Sequence, residues 1–129
     1  MSIVLLIEPD KILADVYGTY LERVGHKVRI VTSAQAAISA ADALSPDIVV
    51  MEIELKAHNG IEFLYEFRSY SEWQDIPVII VSKTAPEGDG HEEMWRRLGV
   101  VGYYYKPATS LAALEDYVRA ALKTEQSWA

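Results

Sequence analysis

The sequence contains no cysteine, and this absence excludes disulfide bonds, thiolate nucleophiles and cysteine-ligated metals. No apolar run reaches the roughly 18 residues that a transmembrane helix needs, so we expect no membrane partner. Basic residues are also few, because 12 Lys and Arg stand against 19 Asp and Glu, for a formal net charge of -7. A surface this acidic repels phosphate backbones, so we expect no direct contact with nucleic acid.

The N-terminal apolar run, residues 3–7, is short and has no basic residues before it. We therefore predict a strand rather than a signal peptide, and we expect a cytoplasmic location. A chain of 129 residues suits one domain with a single core. We predict that residues 1–122 form this domain and that residues 123–129 are a C-terminal tail that frays.

Five short apolar runs are rich in valine and isoleucine and mostly lack polar alternation, as expected of strands buried on both faces of a parallel sheet. They are residues 3–7, 28–31, 48–51, 78–81 and 103–105. Between them apolar residues recur at helical spacing, as in the stripe from Ile12 to Val24 that stops before Gly25. This alternation predicts an α/β domain with helices on both faces of a parallel sheet, joined by right-handed crossovers.

The predicted strands end in residues that carry chemistry. These are Glu8, Pro9 and Asp10 after the first strand, Glu52 after the third, Ser82 and Lys83 after the fourth, and Lys106 after the fifth. In a doubly wound sheet such ends converge on one crevice, where acids, a hydroxyl and a lysine suit a cation beside an anionic group. Asp10 is open to two interpretations, a cation ligand or the N-cap of the first helix, and the cap is the commoner role.

Four segments, in this order, resemble the receiver domain of bacterial two-component response regulators. They are "LLIEPD", "PDIVVMEIEL" with the "NG" that follows, "PVIIVSK" and "GVVGYYYKPA". The resemblance covers about residues 2–122. It implies a flavodoxin-like (CheY-like), doubly wound, five-stranded parallel sheet with five helices in three α/β/α layers. It also implies phosphorelay signalling rather than an enzyme.

In that family an aspartate after the third strand accepts a phosphoryl group from a histidine kinase, and two acids after the first strand help it to hold Mg²⁺. The resemblance puts Glu52 at the phosphoacceptor position. It puts Glu8 and Pro9 at the position of the acidic pair, with Asp10 beside them.

The resemblance also assigns the phosphate-binding and output residues. Ser82 and Lys106 match the hydroxyl and the lysine that bind the acyl phosphate, and the bond before Pro107 is expected to be cis. Tyr103 matches the switch aromatic. Tyr105 shares its face by strand alternation, and both would join Trp95 on the output surface.

This chain departs from the family pattern at its most informative positions. Glu52 replaces the phosphoacceptor aspartate, Pro9 offers no side-chain oxygen, and the long side chain of Lys83 is predicted to cover the site. Mg²⁺ demands near-octahedral oxygen coordination, so these changes should weaken it severely. We expect no cofactor and no metal, with Glu8, Asp10 and Glu52 as weak candidate ligands.

The sequence therefore predicts an atypical receiver that is not phosphorylated and that signals by contact with a protein partner or a second copy. These contacts would use the fourth helix, the fifth strand and the fifth helix. The alternative is a working phosphorelay receiver that takes phosphate from a histidine kinase, with Mg²⁺, at an acid such as Asp10 or Glu54. A third class, a flavodoxin-like enzyme or nucleotide-binding protein, lacks support because no glycine-rich loop follows the first strand.

Two interpretations of Glu52 make different structural predictions. As a phosphate mimic, Glu52 would accept a hydrogen bond from Ser82 and pair with Lys106, and Tyr103 would point inward. As an acid in an inactive-like site, it would lie beneath Lys83, with Tyr103 outward and Ser82 out of reach.

Overall fold

The computed structural model describes residues 2–56, 59–86 and 91–128, and in this part of the chain five parallel strands form one sheet. The strands are β1 (Ile3–Ile7), β2 (Lys27–Val31), β3 (Ile48–Met51), β4 (Val78–Ser82) and β5 (Val100–Tyr105). Their spatial order is β2-β1-β3-β4-β5. The first four strands lie within one residue of their predicted bounds, which confirms the doubly wound parallel sheet.

Five helices follow the strands. They are α1 (Lys11–Arg23), α2 (Ala34–Leu44), α3 (Gly60–Ser69), α4 (Glu92–Arg97) and α5 (Leu111–Trp128). Among the described residues, none of these helices combines the length and the apolar content needed to cross a membrane. A short 3-10 turn at Ser71–Trp73, which the sequence pattern did not indicate, joins α3 to the chain before β4.

Side-chain caps fix where three of the helices begin. Asp10, Ser33 and Asn59 each accept a hydrogen bond from a backbone amide in the first turn of α1, α2 and α3. Such a cap satisfies one of the amides that the first helical turn leaves without a partner, and its loss costs about 1 kcal/mol. For Asp10 the structure therefore confirms the cap, since its Oδ1 atom accepts from the amide of Leu13 at 3.1 Å.

Two layers of apolar side chains cover the two faces of the sheet. Leu5 and Ile7 of β1 pack in the cluster that includes α2, α3 and α4, whereas Val4 and Leu6 pack with α1 and α5. This is the alternation of a strand, and burial on both faces explains why β1 lacks polar residues. The three-layer arrangement leaves the carboxyl ends of the strands open at one edge.

Arg68, at the end of α3, ties two loops together at the opposite edge. Its guanidinium donates to the carbonyls of Trp73, Ile76 and Leu98 at 2.5, 2.5 and 2.7 Å. Loop carbonyls that are buried without a partner would each cost about 1–3 kcal/mol. One arginine therefore fixes the entry to both β4 and β5, the strands that carry the serine and the lysine.

Three sequence predictions differ from the structure. The fifth strand begins at Val100 rather than at residue 103, because Gly99 adopts a left-handed conformation with φ of 75° and turns the chain directly from α4 into the strand. The bond before Pro107 is trans, within a 3-10 turn over Lys106–Ala108, not cis as expected. The backbone of α5 continues to Trp128, through most of the predicted tail, and the domain boundary at residue 122 stays a prediction.

Candidate functional site

Four strand ends bring two acids, a hydroxyl and an amine to a single crevice. Glu8 follows β1, Glu52 follows β3, Ser82 ends β4 and Lys106 follows β5. The crevice lies where the strand order reverses, between β1 and β3, which is where open α/β sheets bind ligands. The structure thus brings together the side chains that the sequence predicted to meet.

The carboxylate of Glu52 is 3% exposed and accepts four hydrogen bonds. Its Oε2 atom accepts from the Ser82 hydroxyl at 2.5 Å and from the Glu54 amide at 3.0 Å. Its Oε1 atom accepts from Lys106 Nζ at 2.8 Å and from the Lys83 amide at 3.1 Å. Both contacts predicted for a phosphate mimic, those with Ser82 and Lys106, are therefore present.

Lys106 joins the two buried acids. Its Nζ atom lies 2.7 Å from Glu8 Oε1 and 2.8 Å from Glu52 Oε1, and the lysine side chain is only 14% exposed. The second oxygen of Glu8 accepts from the Asp10 amide at 3.0 Å. Lys106 therefore pairs with both acids, and one ammonium neutralises half of the negative charge in the site.

The hydrogen bonds decide the charge states. Burial by itself would raise the pKa of Glu52, but the donors from Glu54, Lys106, Ser82 and Lys83 outweigh it and lower this pKa below its ordinary value. Burial would likewise lower the pKa of Lys106, but its bonds and its attraction to Glu52 and Glu8 raise this pKa above its ordinary value. The carboxylate is therefore anionic and the lysine cationic at neutral pH.

The oxygens that a metal ion would need are engaged by donors. Glu8 and Glu52 both point at the lysine ammonium, Pro9 has no side-chain oxygen, and Asp10 caps α1. Within residues 2–56, 59–86 and 91–128, no three His, Asp or Glu side chains are grouped so as to hold a metal ion. The side chains of this site do not fit Mg²⁺ as they stand, because the ammonium of Lys106 takes the place of a cation between the acids.

A second set of contacts leads from the site to β5. The Thr84 amide donates to Ser82 Oγ at 3.1 Å, and the Tyr103 hydroxyl donates to the Thr84 carbonyl at 2.9 Å. The ring of Tyr103 packs against the buried cluster beside α4 and lies 5.6 Å from the ring of Trp95. Tyr103 is thus half-buried, packs against this cluster and is bonded to the chain that follows β4.

The other predicted output residues occupy different environments. Tyr105 is 42% exposed and Trp95 is half-buried, whereas Tyr104 turns to the opposite face and stacks on Tyr117 at 3.6 Å. Lys83 reaches Glu52 through its backbone amide, while its side chain is exposed. Any residue except proline could make this amide contact. The contact therefore does not support the prediction that the Lys83 side chain covers the site.

Three residues that contribute backbone contacts to the site were not predicted from the sequence. The amides of Glu54 and Lys83 carry no sequence signal, because every residue except proline has one. Thr84 was missed as well, although a hydroxyl residue two positions after Ser82 can mark a local turn. His91 and Met94 line a cavity next to Tyr103, and His58 lies outside the described residues.

Comparisons with known proteins agree with this geometry. The family model for the response regulator receiver domain matches residues 4–119. The sensory transduction protein RegX3 of Mycobacterium tuberculosis is 30% identical over 123 residues, which cover 95% of this chain and 52% of RegX3. This chain therefore spans about half the length of that relative. The polar-differentiation response regulator DivK of Brucella ovis is 29% identical over 81% of this chain and 83% of its own.

Solved structures share the fold at lower identity. A CheY-like response regulator receiver domain protein from Methanospirillum hungatei superposes with a TM-score of 0.87 at 18% identity, over 100% of this chain and 99% of its own. At this identity the likeness establishes the flavodoxin-like arrangement of strands and helices and nothing about the site.

Replacing the buried acid should change how stability depends on pH. Because the pKa of Glu52 is lower in the folded state, its stabilisation is present above the ordinary value of 4.5 and is lost as the pH falls through the lowered pKa. We expect Glu52→Gln to make this loss of stability at acid pH less steep. We also expect it to lower the free energy of unfolding near neutral pH by about 2–4 kcal/mol, because the variant leaves Lys106 with one carboxylate. Urea denaturation across the acid and neutral range measures both effects.

The matched control for this substitution is Glu22→Gln, the same change at an exposed position of α1. We expect the control to differ from the parent protein by no more than about 0.5 kcal/mol. If the free energy of unfolding falls in parallel for the parent and Glu52→Gln proteins as the pH is lowered, this would contradict the assignment of the lowered pKa to Glu52.

Proposed function

Because the chain belongs to the response regulator receiver domain family, we propose that it is an atypical receiver that signals through protein contacts without being phosphorylated. It would have no catalytic activity of its own and would act in the cytoplasm as an interaction module. The observation that carries this proposal is the buried carboxylate of Glu52, which engages four donors at the position where the family places its phosphoacceptor.

The chemistry of the side chains supports a site that holds a permanent negative charge and does not carry out phosphoryl transfer. Phosphoryl transfer depends on positioning and on neutralisation of charge by Mg²⁺, and here Pro9 replaces one ligand while Lys106 occupies the other two. A phosphoryl group would also have to displace a donor from the Glu52 oxygen that it joined, because each oxygen already accepts two hydrogen bonds. The lack of metal ligands and the occupied carboxylate oxygens would therefore both hinder the phosphoryl-transfer step.

The arrangement around Glu52 supports an active-like state that needs no input. A receiver is a two-state element, and negative charge held between its hydroxyl and its lysine favours one state. Glu52 supplies one such charge, where a phosphoryl group would supply nearly two. The bonds from Ser82 through Thr84 to Tyr103 would then hold the switch aromatic inward continuously.

The output surface follows from the same set of contacts. We assign it to α4, β5 and α5, with Trp95, Tyr103 and the exposed Tyr105 as its aromatic anchors. Aromatic residues with arginine neighbours, here Arg96 and Arg97, are typical of the centres of protein interfaces. The partner would be another protein or a second copy of this chain, with a histidine kinase as a further candidate.

One alternative keeps some support, namely a working phosphorelay receiver. Ser82 and Lys106 are retained, and the exposed Glu54 and Asp10 are accessible acids near the crevice. Against it, one oxygen of Asp10 already caps α1, and Glu8 and Glu52 each give one oxygen to Lys106. Labelling experiments separate the two functions.

We predict that the protein gains no mass of about 80 Da, one phosphoryl group, after incubation with acetyl phosphate and Mg²⁺. Glu52→Asp alone should restore little labelling, because the acidic pair is still incomplete. Adding Pro9→Asp should restore labelling and Mg²⁺ affinity by more than the sum of the single changes, since residues of one site act as a unit. Intact-mass spectrometry measures the adduct.

The control for labelling is the double variant Glu52→Asp and Pro9→Asp with Ser82→Ala added, which keeps the restored acids and removes the hydroxyl. We expect it to label more slowly than the double variant. A stoichiometric adduct on the parent protein would contradict the proposed function, and full labelling of Glu52→Asp alone would contradict the weight given to Pro9.

We predict that Tyr105→Ala and Trp95→Ala weaken self-association, or binding to the partner protein, by about 1–3 kcal/mol. Sedimentation velocity measures the first and titration calorimetry the second. The control is Tyr65→Ala, since Tyr65 is 59% exposed on α3, away from this surface. If Tyr105→Ala and Tyr65→Ala behave alike, the interface lies elsewhere.

A further inference from the structure

A cavity of about 580 Å³ lies next to the site and is separate from the crevice that holds Glu52. It opens between the chain that follows β3, the chain that follows β4, and α4. Its larger apolar lining residues are Ile53, Leu55, Ile61, Met94, Trp95 and Tyr103. Its volume falls within the range of about 300–1,000 Å³ that small-molecule sites occupy.

Tight backbone packing shapes one wall of this cavity. Gly60 begins α3, and its amide donates to the Ile53 carbonyl at 2.9 Å. A Cβ atom at Gly60 would lie 2.6 Å from that carbonyl oxygen, so the close approach requires glycine. This main-chain contact fixes the segments that carry the lining residues Ile53 and Ile61 against each other, which favours a preformed wall.

The lining indicates the chemical class of the occupant. Trp95 and Tyr103 form a tilted pair whose rings are half-buried and border the cavity, and such faces stack well against another planar ring. Asn59 and Thr84 add neutral polar groups at the rim. The acid Glu54 faces the same cavity as a lysine and a histidine, so no single sign of charge dominates there. An uncharged planar aromatic molecule with one hydrogen-bonding group matches this lining.

The cavity also shares walls with the switch. Thr84 lines it, donates its amide to Ser82 and accepts from Tyr103, which lines it too. Glu54, another lining residue, donates its amide to Glu52. An occupant would therefore contact both ends of the bonds that connect the buried carboxylate to the output aromatic.

We propose that this cavity binds a small planar aromatic molecule, and that this molecule is the input to a receiver that takes no phosphate. The binding stands on the cavity alone, whereas the role as input rests on the proposed function. The ligand would act by differential affinity, since it could shift the switch only if it binds one arrangement of Tyr103 and Thr84 better than the other.

The test is a titration of the ¹⁵N-labelled protein, followed by amide chemical shifts, with indole and with 2-naphthol as aromatic probes. Cyclohexylmethanol serves as an apolar probe without an aromatic ring. We expect saturable shifts at the amides of Ile53, Leu55, Thr84 and Tyr103, with a dissociation constant at or below about 1 mM for the aromatic probes. Cyclohexylmethanol should bind at least about tenfold more weakly.

Two substitutions fill the cavity and provide independent checks. Ile61→Trp and Met94→Trp place an indole in it from α3 and from α4, both at half-buried positions. Each should weaken the aromatic probes at least about tenfold, and if one variant fails to fold the other still decides. The matched control is Val16→Trp, which fills a separate hollow on α1 and should leave affinity unchanged.

The same titration with Glu52→Gln tests the coupling. We expect a change in affinity of about threefold or more, because the variant alters the bonds that hold Thr84 and Tyr103. Unchanged affinity would overturn the role as input, and unsaturable shifts, or equal shifts in the filled variants, would overturn the binding site. A phosphoryl adduct on the parent protein, measured separately, would overturn the proposed function while leaving the binding result intact.

Discussion

The ammonium of Lys106, held between the buried carboxylates of Glu8 and Glu52, is the interaction on which the rest of the site depends. Two acids and one lysine leave a net negative charge with little access to water, and such a group is stable only when every oxygen has a donor. The amide of Asp10 serves Glu8, while Glu52 takes two amides and the Ser82 hydroxyl. The need of these two carboxylates for donors therefore fixes the loops after β1, β3 and β4.

The same requirement explains where the side chain of Tyr103 is held. Glu52 reaches one methylene further than an aspartate, far enough to meet Ser82 and Lys106 together. Once the Ser82 hydroxyl is drawn to the carboxylate, its oxygen accepts from the Thr84 amide, and the Thr84 carbonyl accepts from Tyr103. The position of an aromatic ring on β5 follows from a carboxylate after β3 through three hydrogen bonds.

The sequence predicts the sheet well because β1, β3 and β4 are buried on both faces, which leaves nearly uninterrupted runs of valine, isoleucine and leucine. It also predicts the meeting of Glu52 with Lys106, since parallel strands share one edge. It could not predict the start of β5, which depends on the left-handed turn at Gly99, or the amide donors to Glu52, since amides carry no signature. The cavity beside Tyr103 could not be predicted from the sequence either, because its walls come from three separate segments.

The crystal structure of the Glu52→Met protein is the most direct measurement of whether the carboxylate holds this arrangement. Methionine keeps the length of the side chain and removes its charge and its oxygens, and Lys106 retains Glu8 as a partner. The predicted result is that Ser82 turns away from position 52 and that Tyr103 leaves the Thr84 carbonyl and rotates outward. A folded variant in which Tyr103 still donates to Thr84 and packs on Trp95 would contradict the account.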